Sequence, residues 1–173
     1  ARVDTLRSAT VDSPLGLINL AATENDNISA ERQYASLRGT PDEVWQAMRA
    51  GSVLVSEPLA NRLGLQEAAG EIRLYTSKGW RNFPVYGIYY DYTSSEGTVL
   101  MALNVYRDLW QDNDLTALAL RLEPGVNPDV ITRELQDHFQ GQQQLLIRPN
   151  QALRQDVMVI FDRTFAITVA LRL

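Results

Sequence analysis

The chain has 173 residues, 45% of them hydrophobic and 21% charged, with a net charge of −5, so it is long enough for one ordinary core or two small ones and too apolar to stay disordered. Cysteine is absent, which excludes disulfides, thiolate nucleophiles and cysteine metal sites. Of the sixteen basic residues only Lys78 is a lysine, and none cluster, which argues against a sequence-independent grip on nucleic acid and against a polybasic lipid anchor.

Val3 to Val11 alternates in strand fashion and meets Ser13-Pro14, which predicts a strand ending in a turn. Leu15 to Thr23 reads as a second strand, closed by the polar cluster Glu24-Asn25-Asp26-Asn27. Thr40-Pro41-Asp42-Glu43 is a helix start, with a capping hydroxyl, proline in the first turn and acids at the positive end of the dipole. That helix is expected to reach Ala50, with Val44, Trp45 and Met48 turned inward. Ser52 to Val55 reads as a short buried strand, and Ser56-Glu57-Pro58 opens a helix that Gly64 closes, anchored by Leu59, Leu63 and Leu65.

From Glu71 to Leu103 the period changes from helical to strand-like. Strands are predicted at Ile72 to Thr76, Phe83 to Tyr92 and Thr98 to Leu103, separated by Ser77-Lys78-Gly79 and Ser94-Ser95-Glu96-Gly97. A short helix capped by Asn104 is expected up to Trp110. The tail then reads as a strand at Leu115 to Leu122, a helix at Val130 to Phe139 capped by Asn127, and a strand at Gln144 to Arg148, a βαβ or split-ferredoxin rhythm.

The residues offer little for catalysis. His138 is the only histidine and sits near a helix C-terminus, where a cation suits the dipole. Asp112-Asn113-Asp114 lacks the glycine and distal glutamate of a calcium loop, no glycine-rich loop cradles a phosphate, and acidic pairs such as Asp42 and Glu43 are explained by helix dipoles. No catalytic residue, metal site or cofactor is therefore assigned. The tyrosine-rich run Val85 to Tyr92 is more suggestive: strict alternation would put Tyr86, Tyr90 and Tyr92 with Ile88 on one face and Tyr89 on the other. Either these four tyrosines form a partner-binding surface, or they fill a sandwich-like core with their hydroxyls reaching solvent.

The last segment, Leu153 to Leu173, has helical spacing, grows more apolar toward its end and has no capping stop. Taken alone it is equally a core-facing terminal helix or a helix continuing toward lipid.

The order of motifs supplies a resemblance. Gly51-Ser52-Val53-Leu54-Val55-Ser56-Glu57-Pro58-Leu59-Ala60-Asn61-Arg62-Leu63-Gly64-Leu65, then Gly70-Glu71-Ile72-Arg73-Leu74, then Phe83-Pro84-Val85-Tyr86-Gly87-Ile88, resembles the extracytoplasmic domain of MacB/FtsX-like ABC transporter permeases. Leu118 to Gly125, Val130 to Leu135 and the Phe161-Asp162-Arg163-Thr164-Phe165 stretch continue the match, while Gln66-Glu67-Ala68-Ala69-Gly70 departs from the family's shorter turn. The resemblance implies an α+β fold: a split ferredoxin-like porter lobe (1–37 plus 112–173, with a stalk helix leading toward a membrane span) and an inserted small β-rich, sabre-like lobe (39–111). It also implies a non-enzymatic role in the plasma (inner) membrane, with this domain facing the periplasm or cell exterior, where it couples cytoplasmic ATP hydrolysis to handling of an envelope substrate. The implied partners are an ATP-binding subunit, a second permease copy, and a lipoprotein, lipid or periplasmic adaptor. Phe161, Arg163 and Phe165 are the candidate coupling residues, and a stand-alone binding or adaptor domain is the alternative.

Overall fold

The computed structural model describes residues 2–141 and 145–149. Along the chain, the described elements are β1 (Arg2–Ser13), β2 (Gly16–Thr23), α1 (Ile28–Glu31), β3 (Tyr34–Leu37), a 3-10 turn (Pro41–Glu43) running into α2 (Val44–Arg49), β4 (Val53–Ser56), α3 (Glu57–Leu63), β5 (Glu71–Thr76), β6 (Gly79–Tyr89), β7 (Thr98–Ala102), α4 (Leu103–Trp110), β8 (Ala117–Arg121) and α5 (Pro128–Phe139). The α+β class expected from the sequence is observed.

Two four-residue sequences build the same hairpin turn. In Ser13-Pro14-Leu15-Gly16 the Ser13 hydroxyl donates to the Gly16 carbonyl at 2.8 Å and accepts from the Leu15 N–H at 3.1 Å. In Thr76-Ser77-Lys78-Gly79 the Thr76 hydroxyl repeats both bonds at the same distances. Each turn closes on a glycine with φ near +90°, a region in which a side chain is strained.

All eight strands belong to one mixed sheet, in the order β3-β6-β4-β7-β2-β1-β8 with β5 on β6. The β2–β7 and β4–β6 pairs are parallel and the others antiparallel. Every residue of β4 is buried, and so is every residue of β7 after Thr98. This is why both read as continuous apolar runs: their two faces are covered. Val53, Val55, Val99 and Met101 face a core closed by Ile72, Leu74 and Phe83 of the β5–β6 hairpin, by Leu59 of α3 and by Leu103 and Tyr106 of α4. Leu54, Leu100 and Ala102, one step along the same strands, face a second core with Ile28, Val44 and Met48 from α1 and α2.

The sheet runs across the positions near 38 and 112 at which the resemblance divides the chain, because β3 pairs with β6 and β2 with β7. Contacts separate the chain into a unit of residues 1–121 and a second of residues 122–173. In the second unit α5 starts as expected, with the Asn127 side chain accepting from the Asp129 N–H at 2.9 Å.

Several local expectations are corrected. Residues 145–149 carry no strand, so the described part of the expected Gln144–Arg148 strand is irregular. Helix α4 begins at Leu103 behind an extended Ala102, and Asn104 lies inside the helix rather than capping it. Strand β6 begins at Gly79 and stops at Tyr89, leaving Tyr90 and Tyr92 beyond it. Helix α1 and strand β3, four residues each, were not expected. The segment Leu153 to Leu173 lies outside the described residues.

Candidate functional site

The tyrosine run is the surface singled out by sequence, and a bulge decides its layout. Val53 of β4 stands opposite Val85, but the next residue, Leu54, stands opposite Gly87. One extra β6 residue, Tyr86, is accommodated there, and the alternation resets. Val85 and Ile88 therefore face the first core, while Tyr86 and Tyr89 turn toward the second. Gly87 is needed at this crowded point: a Cβ would come 2.7 Å from the Leu37 side chain and 2.9 Å from that of Leu54.

The four tyrosines consequently divide. Tyr89 is 1% exposed, a core residue rather than a surface one, with the Arg32 guanidinium 5.0 Å from its ring centre. Burial pushes its hydroxyl pKa far upward. Tyr86 is half-buried over Gly39, and its hydroxyl donates to the Glu43 carboxylate at 3.2 Å. Only Tyr90 and Tyr92 are on the surface, 45% and 70% exposed. Their rings stack with centres 6.5 Å apart, and the Tyr92 hydroxyl donates to Glu57. The candidate coupling residues Phe161, Arg163 and Phe165 lie outside the described residues.

Sequence reading missed a polar cluster where the first and last strands of the sheet meet. Strand β1 pairs with β8, Asp4 opposite Ala119 and Arg2 opposite Arg121. The Asp4 side chain, 10% exposed, accepts from Arg121 Nε at 2.7 Å and from Arg2 Nε at 3.1 Å. Both guanidinium groups continue outward, Arg121 to Glu31 of α1 and Arg2 to Asp26 and Asn25. Asn25 in turn donates to Glu31 at 2.6 Å. The Arg121 hydrogen bond, reinforced by the charges of both arginines, holds the Asp4 carboxyl below its ordinary pKa despite the opposing cost of burial. The sequence shows only scattered charges here, because the partners are up to 117 positions apart.

A second network joins the other half of β1 to the segment before β8. Asp112 accepts from Arg7 Nε at 2.9 Å and from the Tyr106 hydroxyl at 2.8 Å. The Asp114 backbone N–H, then Tyr106, keep the Asp112 carboxyl ionised to lower pH than usual. The Asp112-Asn113-Asp114 turn is thus occupied by protein donors.

Among the described residues no three His, Asp or Glu side chains are placed to hold a metal ion. The depressions are shallow; one of about 400 Å³ is lined by Val3, Glu24, Trp45, Arg49 and Asn104, a set without a nucleophile–base pair.

The chain superposes on the crystal structure of the periplasmic region of MacB from Actinobacillus actinomycetemcomitans with a TM-score of 0.59, over 91% of this chain and 76% of that one, at 15% identity. It also superposes on the extracellular domain of the noncanonic ABC-type transporter YknZ from Gram-positive bacteria, with a TM-score of 0.55 over 80% and 76% of the two chains at 14% identity. At these identities the likeness is one of fold. No protein-family model matches the chain. In sequence it is 38% identical, over 157 residues, to the uncharacterized ABC transporter permease protein Rv0987 of Mycobacterium tuberculosis, covering 90% of this chain and 18% of that relative's length. The chain is thus similar in sequence to a stretch of an ABC transporter permease, about a fifth of that relative's length, and has the fold of the periplasmic region of MacB and the extracellular domain of YknZ.

Proposed function

We propose that the chain works as the extracytoplasmic domain of a permease in the plasma (inner) membrane, facing the periplasm or cell exterior. In this reading it couples ATP hydrolysis on a cytoplasmic subunit to export or extraction of an envelope substrate: a lipoprotein, lipid, peptide or drug. The observation that carries it is the 38% identity to a permease along 90% of the chain. The second partner is another permease copy, and the domain itself performs no chemistry. In this reading residues 1–37, with β1, β2 and β3, and residues 112–173, with β8, form the porter-like lobe, and residues 39–111 the inserted lobe. The two lobes share one sheet through the β2–β7 and β3–β6 pairings.

The Asp4 cluster supports a mechanical role. A pull on β1 or on β8 is borne by the same carboxylate and its two arginines, so the paired strands move as one rigid body. Phe161, Arg163 and Phe165 are the proposed link from this body to the membrane part, and Tyr90 with Tyr92 a proposed partner contact. The test is a charged substitution, Phe161→Asp or Phe165→Asp, in the full permease reconstituted with its ATP-binding subunit. ATP turnover is expected to persist while transport is lost; transport at the wild-type rate in both variants refutes the coupling role.

A further inference from the structure

The core does not use the outer face of the β5–β6 hairpin. Ile72, Leu74 and Thr76 are buried, which leaves Glu71, Arg73 and Tyr75 on the other side of β5, directly opposite Pro84, Asn82 and Trp80 of β6. Directly opposed residues share a face, so these three pairs form one strip about 14 Å long. Arg81, opposite the inward-facing Leu74, is not part of it. At the turn end of the strip Tyr75 and Trp80 are 50% and 44% exposed. Their ring centres are 5.3 Å apart in an edge-to-face pair, and the Arg73 guanidinium lies 5.2 Å from the Trp80 ring centre. Further from the turn, Asn82 donates to Glu71 at 2.9 Å. The hairpin is held in place: the Thr76 hydroxyl closes its turn, the Ser77 N–H and hydroxyl both donate to the Leu109 carbonyl of α4, at 3.1 and 2.6 Å, and Lys78 pairs with Asp108 at 3.2 Å. Such preorganisation lowers the ordering cost of binding.

The make-up of the strip selects its ligand. Its single acid, Glu71, and its single base, Arg73, stand on the same face, so their formal charges cancel and neither a polyanion nor a polycation is favoured. Hydrogen-bonding capacity is nonetheless left over. Among the described residues the Arg73 N–H groups and the Tyr75 hydroxyl make no hydrogen bond, and the Glu71–Asn82 pair engages one carboxylate oxygen and one amide nitrogen only. Guanidinium, amide and carboxylate groups present paired donors or acceptors in a plane, which matches neighbouring hydroxyls of a sugar ring. The aromatic rings beside them offer electron-rich faces to the C–H face of the same sugar. An apolar peptide laid on the rings would cover these polar groups without pairing them, a penalty that a polyhydroxyl ligand avoids.

We propose that the outer face of the β5–β6 hairpin binds a neutral oligosaccharide, whose ring C–H faces stack on Tyr75 and Trp80 and whose hydroxyls bond to Arg73, Asn82 and Glu71. The inference stands on the hairpin and does not rest on the transporter reading.

The test is isothermal titration of the 173-residue chain with chitohexaose, cellohexaose and maltohexaose, with oligogalacturonate as the acidic counterpart and a short peptide of Leu and Ser as the apolar one. Saturable binding of at least one neutral sugar is expected, unchanged between low and high salt because the ligand carries no charge. Binding should weaken by about tenfold or more in Trp80→Ala and in Arg73→Ala/Asn82→Ala, and Tyr92→Ala should bind like wild type. If Trp80→Ala fails to fold by circular dichroism, the Arg73 and Asn82 variant, wholly on the surface, decides. Absence of binding by all the neutral sugars, equal binding by the Arg73 and Asn82 variant, tighter binding of the oligogalacturonate, or binding of the peptide through Trp80 without sugar binding each overturns the proposal.

Discussion

Replacing Asp4 by Asn keeps the shape of the side chain and removes its charge, which isolates what the carboxylate does between β1 and β8. The wild-type group accepts two charge-assisted hydrogen bonds, at 2.7 Å from Arg121 and 3.1 Å from Arg2, from a side chain only 10% exposed. Such bonds contribute about 1.5–3 kcal/mol each when buried. Both arginines are 37–47% exposed and keep Glu31 and Asp26, so solvent screening cuts this to about 2 kcal/mol in total. In a urea titration followed by tryptophan fluorescence, with a slope of roughly 2 kcal/mol per molar, the midpoint should fall by about 1 M at pH 7. The pH dependence follows from the direction of the shift: Asp4 has a lower pKa folded than unfolded. Its stabilisation is complete above the unfolded value and is lost as pH falls through the folded one. The wild-type and Asn midpoints should therefore converge below about pH 4. A midpoint difference under about 0.3 M at pH 7, or a gap that stays constant into acid, would refute the electrostatic account, the latter pointing to packing.

Other substitutions probe the rest of the layout. Tyr89→Ala should cost about 3–5 kcal/mol as a large core truncation, and Tyr92→Ala less than about 0.5; similar urea midpoints for the two would contradict the bulge-shifted faces. Gly97→Ala must place a Cβ 2.5 Å from the Leu59 backbone nitrogen at a φ of +77°, for about 3 kcal/mol and a melting temperature roughly 10 °C lower. Gly16→Ala, with a similar φ but open space around it, should lose only about 1 kcal/mol, so calorimetry giving equal losses would show that the contact with α3 is not rigid. Leu54→Ala, fully buried between Gly87 and Leu100, should lower stability by about 2–5 kcal/mol; a loss under 1 kcal/mol would mean that the second core relaxes around it.

What could be read from the sequence was the local chemistry. Ser13-Pro14-Leu15-Gly16 and Thr76-Ser77-Lys78-Gly79 announce turns because the hydroxyl, the loop and the glycine act within four residues. Glu57-Pro58 and Gly64 likewise bracket α3, the glycine at φ +70°. The phase of β6 was not legible, since the bulge at Tyr86-Gly87 lies where β3 and β4, from distant parts of the chain, pack against the same glycine. A reading by strict alternation puts Val85 with Tyr89 and Tyr86 with Ile88, whereas the bulge sends Val85 and Ile88 to one core and Tyr86 and Tyr89 to the other. Short elements such as β3 carry too few residues to show a period, and the Asp4 cluster depends on partners brought together by the fold. In β5 the apolar alternation of Ile72, Leu74 and Thr76 is the signal from which their burial, and the exposure of Arg73 and Tyr75, could have been read.

The pairing of β1 with β8 also has a consequence for biogenesis. Asp4 and Arg121 lie 117 positions apart, so β1 leaves the ribosome well before its outer neighbour. At about 5–20 residues per second that interval is on the order of 10 s, during which one edge of β1 presents free N–H and C=O groups to any passing strand. Arg2, Asp4 and Arg7 on that strand place charges along the waiting edge, a familiar deterrent to unwanted pairing, and the same charges become the fastening when β8 arrives.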